Sequence, residues 1–130
     1  MSVDFYASRG TEEVYDGRPV VVTRQVPEGE ELAFNVSNAN AADLLSYLGL
    51  QLEYPGDLSG TFTADEVLGA CLVATAIGAP DLGHEGGVDP RPGARMIHCG
   101  RRAGYLEEKV AYLTELAQWA KANHADVTFA

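Results

Sequence analysis

Apolar residues fall in short β-type runs over the first forty positions and switch to helical spacing beyond them. Residues 3–8 (Val-Asp-Phe-Tyr-Ala-Ser) partly alternate, which predicts an edge strand. Asp16-Gly17 is a turn signal, followed by Pro19 and the β-branched run Val20-Val21-Val22-Thr23. A second β-type run, Leu32 to Ser37, follows Pro27-Glu28-Gly29-Glu30, so the two runs are expected to pair as a hairpin around that turn. From Ser37 to Gly49 the pattern is helical: Asn38 or Asn40 is the expected cap, Leu44, Leu45 and Leu48 the buried stripe, and Gly49 the stop. Residues 50–62 read as a loop. Thr63-Ala64-Asp65-Glu66 is a capping box, in which hydroxyl and carboxylate each bond the other's backbone N–H. The helix that follows, Val67 to about Gly78, contains no charge and is expected to be a core helix, with Cys71 as a small buried hydrophobe.

The longest periodic pattern lies in the last third. A short apolar strand, Ala94 to Cys99, runs into Gly100-Arg101-Arg102-Ala103-Gly104 and a helix over 104–123. Leu106, Val110, Leu113, Ala117 and Ala120 form one seam of that helix, and Tyr105, Tyr112, Leu116 and Trp119 an adjacent one. Glu107, Glu108, Thr114, Glu115, Gln118 and Lys121 occupy the solvated arc. Lys109 projects between the seams, where periodicity does not explain it. Asp126 to Ala130 reads as a final strand. Strand, helix and strand then predict a βαβ unit with parallel strands. The expected fold is a single α+β domain over 1–130: a mixed sheet of about five strands, an N-terminal hairpin, the C-terminal βαβ unit and three helices.

Composition narrows the function classes. Apolar residues make up 46% and charged residues 22% of the chain, a globular balance. Nine Lys+Arg against nineteen Asp+Glu give a net charge of -10, which repels a phosphate backbone and suits a protein partner with a basic patch. No apolar run reaches the roughly 18 residues of a membrane span, and residues 1–4 lack the basic and apolar regions of a signal peptide. A cytoplasmic protein with free thiols at Cys71 and Cys99 is therefore expected, with neither nucleic acid nor membrane as partner. Oligomeric state is left open.

Candidate chemistry concentrates at the Gly-Arg-Arg turn. A helix N-terminus favours anions through its free N–H groups, and His98, Cys99, Arg101 and Arg102 cluster there, making an anion site the best chemical candidate. A thiol in that position is a candidate for a lowered pKa. His84, with Asp81, Glu85 and Asp89, lies in the Gly- and Pro-rich loop 79–93, but no second His or Cys stands close in sequence, so no metal site is expected. Asn38 and Asn40 read as capping residues rather than ligand groups. The Asn35-Val36-Ser37 sequon has no meaning in a cytosolic chain. No P-loop, dinucleotide-binding, nucleophile-elbow or His-Glu-x-x-His pattern occurs, and no cofactor is expected.

His98-Cys99 superficially resembles the opening of the cysteine-phosphatase loop. In that family an arginine follows the cysteine by six positions, then Ser or Thr; here those positions hold Tyr105 and Leu106, so the phosphate clamp is missing. Residues 35–45 (Asn-Val-Ser-Asn-Ala-Asn-Ala-Ala-Asp-Leu-Leu) and 99–106 (Cys-Gly-Arg-Arg-Ala-Gly-Tyr-Leu) are similar to small acidic proteins of actinobacteria and their phages. That resemblance implies an actinobacterial or phage source and no activity, cofactor or catalytic residue. The expected function is a non-enzymatic interaction or regulatory protein using its acidic surface and the aromatic edge of the last helix, Tyr105, Lys109, Tyr112 and Trp119. The alternative is a small enzyme or anion-binding module at the 98–105 turn. A DNA mimic needs aligned rows of carboxylates, and the sequence scatters them.

Overall fold

Asp16 and Gly17 both take positive φ, 52° and 73°, the geometry of a two-residue hairpin turn whose twist matches the flanking strands. They join β1 (Ser2–Tyr15) to β2 (Arg18–Gln25) in antiparallel register from Ser8↔Gln25 to Tyr15↔Arg18. The N-terminal hairpin therefore closes at Asp16-Gly17, not at Pro27–Glu30. Pro27–Leu32 instead winds into a 3-10 helix with the proline in its first turn, and β3 (Phe34–Ser37) returns to β1. The computed structural model describes residues 2–50, 58–88 and 97–130. Residues 51–57 of the expected loop 50–62, together with Asp89 and the first half (94–96) of the expected strand 94–99, lie outside them.

The remaining elements are α1 (Asn38–Leu48), β4 (Gly60–Thr63), α2 (Ala64–Ile77), the two-residue β5 (Gly87–Val88) and β6 (Ile97–His98), α3 (Tyr105–Ala122) and β7 (Asp126–Phe129). The main sheet has five strands, in the order β2-β1-β7-β4 with β3 also on β1, and every pairing is antiparallel. Phe5 pairs with Phe34 on one side and Phe129 on the other, so β3 and β2 share one edge of β1 and β7 takes the opposite one. The α+β class, the five strands and the three helices agree with the sequence pattern. The βαβ unit does not form: β6 pairs with β5 in a separate ribbon, while both edges of β7 are filled by β1 and β4. No parallel neighbour position is left for β6.

One face of the sheet carries four stacked phenyl rings in a row: Phe34 on Phe5 at 5.0 Å, Phe5 on Phe129 at 5.7 Å and Phe129 on Phe62 at 5.6 Å. These rings join Leu44 of α1, Val67 and Cys71 of α2, and Leu113 and Leu116 of α3 in one buried cluster. Ser37, rather than an asparagine, caps α1 by accepting from the Asn40 N–H. Thr63 caps α2 as expected, accepting from the Glu66 N–H. Trp119 lies against Gly29, where a Cβ would come within 2.7 Å of the indole, so the glycine makes room for the ring.

The charge-free helix departs from expectation. α2 buries only Ala64, Val67, Cys71 and Ala74, whereas Leu72, Val73 and Ile77 are 66%, 59% and 70% exposed. A helix apolar on both faces has one face on the core and one with no cover among the described residues.

Candidate functional site at the Gly-Arg-Arg turn

Gly104 opens α3 with φ +80° and offers no side-chain cap. The cap comes from a residue far back in the chain. Asp81 Oδ2 accepts from the Leu106 N–H at 3.0 Å and Oδ1 from the Gly83 N–H at 3.1 Å. Its carbonyl accepts from the Gly104 N–H, and its own N–H donates to Glu107 Oε1. Burial alone would raise the Asp81 pKa, but the Leu106 and Gly83 N–H groups and then Arg101 outweigh it and hold the carboxyl below its usual range.

Arg101 is fastened by the same carboxylate. Its Nε–H lies 3.1 Å from both Asp81 oxygens, while Nη1 donates to Asp43 Oδ2 at 2.6 Å and to Asn40 Oδ1 at 3.3 Å. Side-chain exposure is 10% for Arg101 and 2% for Asp81, so this is an interior ion pair with satisfied hydrogen bonds. The α3 N-terminus and Arg101 are both engaged by the Asp81 carboxylate, an anion that the chain itself supplies.

The flanking residues extend the clasp. His84 and Arg101 form an isolated antiparallel bridge. Gly83, at φ +86°, permits it: a Cβ there would lie 2.9 Å from the Arg101 carbonyl oxygen. His98 Nδ1 accepts from the Gly100 N–H at 2.9 Å, which leaves the ring proton on Nε2 to donate to Asp43 Oδ2 at 2.9 Å. The His84 ring stacks on His98 with centroids 3.6 Å apart. Asn40, buried in α1, donates to the Gly100 carbonyl at 3.1 Å. Cys99 is exposed, and its thiol donates to Ser37 Oγ at 3.0 Å. With both imidazole nitrogens engaged, His98 has no lone pair free to activate that thiol.

Of the four residues proposed for an anion, His98, Cys99 and Arg101 thus meet in one hydrogen-bonded assembly. Arg102 stands apart: it is exposed, pairs with Glu108 and lies over the Tyr105 ring. Among the four aromatic-edge residues, Lys109 places its ammonium 5.0 Å from the Tyr105 centroid and 4.8 Å from that of Tyr112. Burial first, and Arg102 second, lower the Lys109 pKa. A cation between two ring faces accounts for the lysine that periodicity left unexplained. Tyr112 is 41% exposed, donates to Glu108 and meets Phe34 edge-on; Trp119 is half-buried against Gly29.

Two grooves flank α3. One, of about 430 Å³, runs between α2 and α3 over Ala74, Gly78, Val110 and Ala111, with Tyr47, Glu107 and Glu115 among its walls. The other, of about 230 Å³, lies between residues 31–34 and α3, bordered by Glu31, Phe34, Tyr112 and Glu115. Glu115 lines both. Tyr47 is held above its ordinary pKa by burial first and then by the negative charges of Glu107 and Asp81. Sequence reasoning missed Asp81 as a structural residue; the signal was a helix start after Gly104 with no Ser, Thr, Asp or Asn to cap it.

Among the described residues no group of three His, Cys, Asp or Glu is placed to hold a metal ion, and no helix is long and apolar enough to cross a membrane. No protein-family model, curated protein or solved structure matches the chain.

Proposed function

We propose that the chain is a non-enzymatic interaction or regulatory protein that binds a protein partner on the outer surface of α3. The partner class is one bearing basic and apolar side chains together. The observation that carries this reading is Glu115, a carboxylate on the ridge between two grooves, one floored by Ala74 and Val110 and the other walled by Phe34 and Tyr112. Lysine or arginine side chains would meet Glu31, Glu107 and Glu115, while their apolar neighbours enter the grooves, an arrangement of charge and aromatic anchors suited to recognition. The net charge of -10 adds long-range attraction for such a partner. Catalysis at the 98–105 turn is not favoured, because the Arg101 Nε and Nη1 and both His98 nitrogens already have protein partners.

The test is a pull-down from host extract with the wild-type chain and with Glu115→Lys, at low and at high salt. The reading expects a defined partner retained by the wild type, weakened by salt and lost by Glu115→Lys. Equal recovery by both chains sinks it. Glu115 is exposed, so the substitution is expected to leave the fold intact, checked by circular dichroism.

A further inference from the structure

We infer that the outer face of α2 is a self-association surface, on which a second copy of this chain packs its own α2 in antiparallel orientation. The face is apolar and uncovered among the described residues: Leu72, Val73 and Ile77 are each more than half exposed. Gly69 and Ala76 lie on the centre line, two turns apart, with Leu72 and Val73 about 50° to either side at 100° per residue. Gly69 has open space where a Cβ would stand, so a neighbouring helix can approach closely.

The choice of occupant comes from charge and from register. A chain of net charge -10 repels its own copy over most of its surface, and α2 from Val67 to Ile77 is an eleven-residue stretch with no ionisable group except the buried Cys71. A basic partner finds its carboxylates elsewhere, on α3. A two-fold axis between Leu72 and Val73 makes the face complementary to itself. Gly69 then opposes the partner's Ala76, Leu72 opposes the partner's Val73, and the reciprocal pairs repeat them, as an isologous interface requires. In that orientation Asp65 and Glu66 of each copy face Ala79 and Pro80 of the other, both uncharged. A parallel pair would instead bring four carboxylates together at one end. Elsewhere, exposed Val20 and Val21 sit directly across from Glu13 and Glu12, Val14 and Tyr15 follow Glu13 on the same strand, Leu82 is a single residue between Asp81 and Gly83, and Tyr112 bonds Glu108, so none of them offers a charge-free face.

The inference is independent of the α3 reading, since Glu115 is not on this face. It is tested by light scattering after size exclusion across the micromolar range. Wild-type chain is expected at twice its 13.9 kDa. Leu72→Lys alone and Val73→Glu alone are expected as monomers, and an equimolar mixture of the two as a dimer, because the register sets Lys against Glu once and leaves a native Leu–Val pair on the other side. A monomeric wild type overturns the inference, as do variants that stay dimeric or a mixture that fails to reassociate. Both positions are exposed, so folding should persist; if circular dichroism shows otherwise for one variant, Ala76→Glu takes its place with the same expectation of a monomer.

Discussion

Asp81→Ala is expected to lower the free energy of unfolding by about 3–5 kcal/mol, the range for removing one partner of a buried ion pair. The reason is that one carboxylate holds three things: the Leu106 N–H of α3, the Gly83 turn and the Arg101 guanidinium. Removing it leaves an interior arginine with Asp43 and Asn40 as its side-chain oxygen acceptors among the described residues, and leaves the start of α3 without its Asp81 cap. Urea denaturation checks the value; a loss below about 1 kcal/mol, the level of an exposed pair, would show that the clasp is not structural. A pH dependence follows from the same residue. Its folded pKa lies below the unfolded value of roughly 3.9. The stabilisation is therefore fully present above that unfolded value and is lost as pH falls through the folded pKa. Wild-type stability should fall across this acid window, and the Asp81→Ala difference should shrink with it.

Phe129→Ala is the second large effect, expected at about 3–5 kcal/mol for a fully enclosed phenyl ring. Phe129 is 1% exposed and is the third ring in the row of four, stacked on both Phe5 and Phe62. Its strand is also paired on both edges, so a void there loosens β1 and β4 together. Phe62→Ala, at the half-buried end of the row, should cost less under the same urea titration. Equal costs for the two would mean that the ring row is not the organising unit of this face.

How much of this was legible in the sequence depends on the range over which each signal acts. Local signals read well: Asp16-Gly17 as a turn, Thr63 as a cap, Gly49 as a helix stop, and the buried seam of α3. Pairing partners read poorly. The runs at 20–23 and 32–37 are neighbours in sequence, yet each pairs with β1, because a tight two-residue turn fixes register more strongly than Pro27–Glu30. The parallel crossover failed for a similar reason: which strands fill the edges of β7 is a long-range fact. At the site, His98, Cys99 and Arg101 are neighbours in sequence, but nothing local shows that Asp43 and Asp81, separated from Arg101 by 58 and 20 positions, would neutralise it. For α2, uniform apolarity looked like burial on all sides. Composition alone does not distinguish a helix inside a core from one whose outer face stands uncovered.

On the proposed reading, the 98–105 turn is internal architecture and α3 presents the partner surface. The most direct test is hydroxyl-radical footprinting of the chain alone and bound to the captured partner, followed at two exposed side chains, Tyr112 on α3 and Cys99 at the turn. Oxidation of Tyr112 is expected to fall on binding while that of Cys99 stays unchanged. Protection of Cys99 with Tyr112 left open would contradict it.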